Sequence, residues 1–133
     1  MGAWGNGVWQ DDFAVDVVFS FDQLLEAGAT ASEAVRRVIL DPPWSWNDID
    51  ECDAQILALA ALALQHEALT PSLRDWAVAT ITSGSALEGW DWQGADPKNI
   101  AARKEILERF KALLLRGTAT AEELESVTGP QGV

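Results

Sequence analysis

The chain has 133 residues, a formal net charge of −12 and a single cysteine. This length suits one domain with a core large enough to fold without disulfides or metal, and one cysteine excludes an intrachain disulfide and favours a reducing compartment. Carboxylates are repelled by phosphates and by anionic lipid. We therefore predict a single domain over residues 1–133 that binds neither nucleic acid nor membrane.

The negative charge is concentrated in the first half of the chain. Residues 1–70 hold twelve acidic residues and two arginines (net −10), and residues 71–133 hold nine acidic and seven basic residues (net −2), which together give −12. Solubility is the plainer explanation of such a surface. The alternative is an acidic face that docks on a basic protein.

Residues 1–10 are predicted to form an arm rather than a helix. Gly2 and Gly5 make this stretch too permissive to begin one, and Trp4 and Trp9 are expected to anchor it on the remainder of the domain. The arm lacks the basic start and apolar run of a signal peptide, so a cytoplasmic location is expected.

Two amphipathic helices are predicted after the arm. The first is capped by Asp11 or Asp12 and ends at Gly28. Residues 15–19 also fit a short strand, but nearby acidic residues break the two-residue alternation. Thr30 opens the second helix in a capping box, and the prolines after Asp41 end it. The apolar residues at helical spacing in the first helix are Phe13, Val17, Phe21, Leu24 and Leu25.

The stretch 48–67 is predicted to be the central helix of the domain. Residues 54–64 are Ala, Leu and Ile with one Gln, so this segment is apolar on every side. It is far shorter than the roughly 20 residues of a membrane span. An all-apolar helix of this length must be surrounded by other parts of the protein.

Three further helices are predicted from N-cap residues. They are opened by Thr70, Asp96 and Thr120, the first two followed by proline and the third belonging to a capping box. The first runs to about Ser83, and residues 128–133 form a tail after the third. The helix after Asp96 presents one stripe to the core, made of Ile100, Arg103, Leu107, Phe110 and Leu114.

The residues favour a non-enzymatic protein without a cofactor. His66 is the sole histidine and follows the apolar part of the central helix, where a cation is stabilised, so we interpret it as a helix-end residue. No serine lies in a nucleophile-elbow motif, and no phosphate-binding glycine loop is present.

Two Trp-x-Trp segments and an acidic helix start are the candidate binding features. Paired tryptophans line pockets or partner surfaces, although they more often fill gaps between helices. The acidic turn departs from a calcium loop because Asp53 stands where such a loop needs glycine, so no metal site is predicted. The candidate partner- or ligand-binding residues are Trp44, Trp46, Trp90, Trp92, Asp48, Asp50 and Glu51.

The opening of the chain carries a recognisable signature. It reads Met1-Gly2-Ala3-Trp4-Gly5-x-Gly7, followed by Asp11-Asp12-x-Ala14-x-Asp16. It resembles the opening of a bacterial family known only as domain of unknown function 4259. The later helices, including the one with Arg103, Leu107 and Arg109, are similar to that family too. The resemblance implies a small bacterial single-domain protein with no established activity. The residues of this structural N-terminal motif are Gly2, Trp4, Gly5, Trp9, Asp12 and Asp16.

The sequence therefore predicts an all-α protein, a compact orthogonal or up-down bundle of five to six helices with the glycine- and tryptophan-rich arm packed on it. The leading functional hypothesis is a protein-binding module, antitoxin- or immunity-like, that covers a basic partner surface. The alternative is a small-molecule or metal-binding protein that uses the Trp-x-Trp loops and nearby carboxylates.

Overall fold

The computed structural model describes Val8 and residues 12–42, 49–84 and 97–128. Within these residues the chain forms six α-helices and no strand, as the sequence predicts. The strand alternative for residues 15–19 is wrong, because the first helix runs through them. The helices are α1 (Asp12–Glu26), α2 (Ala31–Leu40), α3 (Ile49–Gln65), α4 (Pro71–Ser83), α5 (Pro97–Arg116) and α6 (Ala121–Thr128).

Helix α3 lies at the centre of the bundle. Every residue from 54 to 64, Gln55 included, is at most 8 % exposed, which confirms the prediction of a helix enclosed on all sides. Helices α1, α2, α4 and α6 contact α3. Alanines along α3 let neighbouring backbones approach closely, and its leucines fill the spaces between them.

Local hydrogen bonds set the starts of α2 and α4 where the sequence predicts them. The backbone N–H of Glu33 donates to Thr30 Oγ1 at 3.2 Å, and that of Leu73 donates to Thr70 Oγ1 at 3.2 Å. Each bond satisfies a first-turn N–H that has no partner within its own helix. The start of each helix therefore depends on residues three positions apart, which the sequence displays directly.

Helices α1 and α3 end in the same type of hydrogen-bonded turn. Gly28 follows α1 with φ 100° and donates its N–H to the Leu25 carbonyl at 3.0 Å. After α3 the corresponding residue is Glu67, with φ 57°, and the next N–H, from Ala68, donates to the Ala63 carbonyl at 2.7 Å. This left-handed conformation favours glycine. Glu67 is the single non-glycine residue with a positive φ in the described ranges.

Helix α5 presents the predicted stripe to the core. Leu107, Phe110 and Leu114 are buried, and Arg103 is only 2 % exposed among them. Ile100 is half-buried at the start of the stripe. The helical spacing alone therefore predicts correctly that the charged side chain of Arg103 is buried.

The two ends of the described chain lie together. Val8 is buried, and its N–H donates to the Val127 carbonyl in α6 at 2.9 Å. The predicted anchors Trp4 and Trp9 lie outside the described residues. Thr128 does not belong to the tail as predicted: it is the buried last residue of α6, and its hydroxyl donates to the Leu124 carbonyl at 3.0 Å.

A complete capping box begins α6, and an arginine from α5 holds it. Thr120 N–H donates to Glu123 Oε1, and Glu123 N–H donates to Thr120 Oγ1, both at 3.1 Å. Arg116 binds the same carboxylate through two nitrogens, with Nη1 at 3.0 Å from Oε2. The Arg116 guanidinium first, and the Thr120 N–H second, lower the pKa of Glu123 from 4.5 to about 2.

We expect Glu123→Gln to reduce stability in a pH-dependent way. The pKa of Glu123 is lower in the folded chain, so its contribution is complete above pH 4.5 and is lost as the pH falls towards 2. The difference in melting temperature between the wild type and Glu123→Gln should therefore shrink between about pH 5 and pH 3. Solvent screening limits the size of this difference, because the side chains of Arg116 and Glu123 are both exposed.

The matched control for this experiment is Glu122→Gln, which removes an exposed acid from the same first turn of α6. The bonds from Arg116 and Thr120 go to Glu123 and are kept in Glu122→Gln. The effect of Glu122→Gln on the melting temperature should therefore be smaller and should depend less on pH. Equal pH profiles for the two variants would contradict the assignment of the lowered pKa to the Arg116 contact.

Candidate functional site

Most of the predicted site residues lie outside the part of the chain that the structure describes. Outside it are Trp44, Trp46, Asp48, Trp90 and Trp92, together with Gly2, Trp4, Gly5 and Trp9 of the N-terminal motif. Asp50 and Glu51 belong to the first turn of α3, and Asp12 is the first residue of α1; the side chains of these three are not described. Asp16 is exposed on α1.

The solvent side of α1 carries two large apolar side chains. Val15 is 39 % exposed and Phe19 is 59 % exposed. At about 100° per residue, Val15, Phe19, Asp22 and Glu26 fall within an arc of about 60°, and we call these four residues the outer face of α1. Asp16 lies about 60° outside this arc. An aromatic and an aliphatic side chain thus stand in water with carboxylates beside them.

The exposed apolar residues of this face, Val15 and Phe19, do not pack in the core. The opposite side of α1 carries Ala14, Val17 and Phe21, all fully buried against the bundle. The helical spacing in the sequence identified Val17 and Phe21 on the buried side. It missed the outer face, because Val15 and Phe19 were weighed only as evidence for a helix or a strand. A helical projection, which places Phe19 about 160° and Val15 about 120° away from Phe21, was the available signal.

Helix α1 carries like charges near its C-terminal end. The helix has no basic residue, including in its last turn. Asp22 and Glu26 lie one turn apart, where like charges destabilise a helix by about 0.2–0.5 kcal/mol. Both also lie near the negative end of the helix dipole, which favours cations. A positively charged group placed over this face would relieve both effects.

The described residues contain no cluster of side chains placed to hold a metal ion. His66 is exposed just beyond the end of α3, with its ring centroid 5.1 Å from that of Phe21, which confirms its interpretation as a helix-end residue. No group of three or more His, Cys, Asp or Glu residues in the described ranges is placed to hold a metal ion. Within those ranges, none of the helices has the length and hydropathy needed to cross a membrane.

Comparisons with known proteins add no relative. No protein-family model matches this chain, and no match was found among curated proteins or solved structures. The resemblance of residues 1–16 to domain of unknown function 4259 stays a prediction. The chain's own surface, above all the outer face of α1, is therefore the basis for a functional proposal.

Proposed function

We propose that this protein is a protein-binding module that docks the outer face of α1 on a basic partner, in the manner of an antitoxin or immunity protein. The observation that carries the proposal is the exposure of Phe19 on a helix without a basic residue. Aromatic side chains surrounded by polar groups are the usual anchors of protein interfaces. The partner would supply an apolar recess for Phe19 and positive charge for Asp22 and Glu26.

The charge of the chain selects the class of partner. Residues 1–70 have a net charge of −10, so a basic surface is attracted from a distance and its association is accelerated. A second copy of this chain is a poor occupant, because it would bring two acidic faces together. The like-charge pair Asp22 and Glu26 also favours a basic partner over a second copy of the chain, because a cationic partner would offset the repulsion between these two carboxylates.

The test captures basic proteins on the immobilised chain at low salt and measures the affinity of each captured protein for variants. We expect Phe19→Ala to weaken binding of the docking partner by about 30-fold, because the lost anchor contributes about 2 kcal/mol to the binding free energy. The double variant Asp22→Asn/Glu26→Gln should slow association and reduce the salt dependence of binding. Phe19 is exposed, so Phe19→Ala should leave the melting temperature nearly unchanged.

The matched control is Leu115→Ala on α5. Leu115 is 59 % exposed, as is Phe19, but it lies on a helix with acidic and basic residues interspersed. Loss of affinity from Phe19→Ala alone supports docking through α1. Equal losses from the two variants, or the absence of any basic protein bound at low salt, would contradict the proposal.

The alternative function is small-molecule or metal binding through the Trp-x-Trp segments. Trp44, Trp46, Trp90 and Trp92 lie outside the described residues, so this alternative stays a prediction. Quenching of tryptophan fluorescence, or a higher melting temperature on addition of metals and metabolites, would favour it over protein docking.

A further inference from the structure

An open groove of about 420 Å³ lies between α1 and α2. Its walls include Ser20 and Leu24 from α1, and Arg37, Val38, Leu40 and Asp41 from α2 and its C-cap. Val38 is buried and Leu24 is half-buried, so they form an apolar floor, while Leu40 stands exposed at the rim. The groove therefore combines apolar surface with one positive and one negative side chain.

The two charges in the groove are available to a ligand. Arg37 and Asp41 are exposed and lie one helical turn apart. Neither residue belongs to the ion pairs Arg74–Asp75 and Arg116–Glu123, and no ion pair joins Arg37 to Asp41 within the described part of the chain. An arginine four residues before an aspartate is the less favourable order for a helical ion pair. Asp41 also leaves the helical conformation, with φ −135° and ψ 69°.

The charges have a fixed order along the groove. Asp41 stands at the C-terminal end of α2, where the last carbonyls of a helix lack partners within it and carry partial negative charge. That end suits an ammonium group. The guanidinium of Arg37, one turn earlier, suits a carboxylate. A simple anion would be repelled by Asp41, and a simple cation by Arg37.

From this arrangement we infer that the groove binds a free α-amino acid with an apolar side chain. Its carboxylate bonds to Arg37, its ammonium bonds to Asp41 at the end of α2, and its side chain covers Leu24 and Val38 below the rim formed by Leu40. Such a ligand satisfies both charges at once and buries apolar surface. The inference is independent of partner docking through the outer face of α1.

The test titrates leucine into the isotope-labelled chain and follows the backbone amide signals by nuclear magnetic resonance. We expect saturable shifts at Leu24, Leu40 and Asp41. Leucinamide lacks the carboxylate and N-acetylleucine lacks the ammonium, so each should bind about tenfold more weakly, the loss of one charge-assisted hydrogen bond. Arg37→Gln and Asp41→Asn should each weaken leucine binding by about the same factor.

The matched control is Arg36→Gln, which removes another exposed arginine. Arg36 is adjacent to Arg37 in α2 and does not line the groove. It should leave leucine binding within about twofold of the wild type. The inference is overturned by an absence of saturable shifts, by leucinamide or N-acetylleucine binding as tightly as leucine, or by equal effects of Arg36→Gln and Arg37→Gln. Phe19→Ala should not change leucine binding, so failure here is distinct from failure of the docking proposal.

Discussion

Leu62→Ala is expected to lower the free energy of unfolding by about 3 kcal/mol. Leu62 is fully buried in the middle of α3, and four other helices contact α3. Removing its branched end loses apolar burial and leaves a cavity, because neighbours packed from several directions cannot all move into the space. Chemical denaturation, with the midpoint and the slope both fitted, measures the loss.

The reference substitution for Leu62→Ala is Leu115→Ala, which makes the same chemical change at a residue that is 59 % exposed. It should alter the free energy of unfolding by no more than about 0.5 kcal/mol. A similar effect of the two variants would mean that α3 is not the enclosed centre of the folded chain in solution.

Ala61→Leu is expected to destabilise the chain by about 1–3 kcal/mol, although it adds apolar surface. Ala61 is fully buried next to Leu62. The extra atoms must displace a neighbouring helix or adopt a strained rotamer, since a well-packed interior has little free volume. Thermal and chemical denaturation of Ala61→Leu should both show the decrease.

Ala112→Leu is the companion control, because Ala112 is exposed in the interior of α5. Alanine and leucine have similar helix propensities, so this variant should retain nearly wild-type stability. If Ala61→Leu is as stable as Ala112→Leu, the helices around α3 leave more room than their burial of Ala61 implies.

The starts of α2, α4 and α6 and the end of α1 could be predicted because they depend on contacts a few residues apart. Thr30, Thr70 and Thr120 each accept a hydrogen bond from the N–H three positions later, and Gly28 takes the left-handed conformation after α1. These interactions involve neighbours in the chain, so residue types at fixed spacing are sufficient to identify them.

The enclosure of α3 was also predictable, for a different reason. A helix without a polar face has no side that can be exposed to solvent favourably, so it must be buried whichever elements surround it. The burial of Arg103 followed from its place in an apolar stripe. In both cases the periodicity of one helix was sufficient, and the identity of the neighbouring helices was not needed.

The candidate sites depended on how the helices assemble. The amino acid sequence by itself determined the all-helical class of the chain, the N-caps of α2, α4 and α6, and the buried sides of α1 and α5, because those properties are local or periodic. Tertiary structure alone decided that Phe19 remains 59 % exposed, that α1 and α2 leave a groove beside Arg37 and Asp41, and that Val8 bonds to Val127. Each of these features depends on the relative positions of segments that are distant in the sequence. Packing between helices sets those positions, and the residue pattern within a single helix does not.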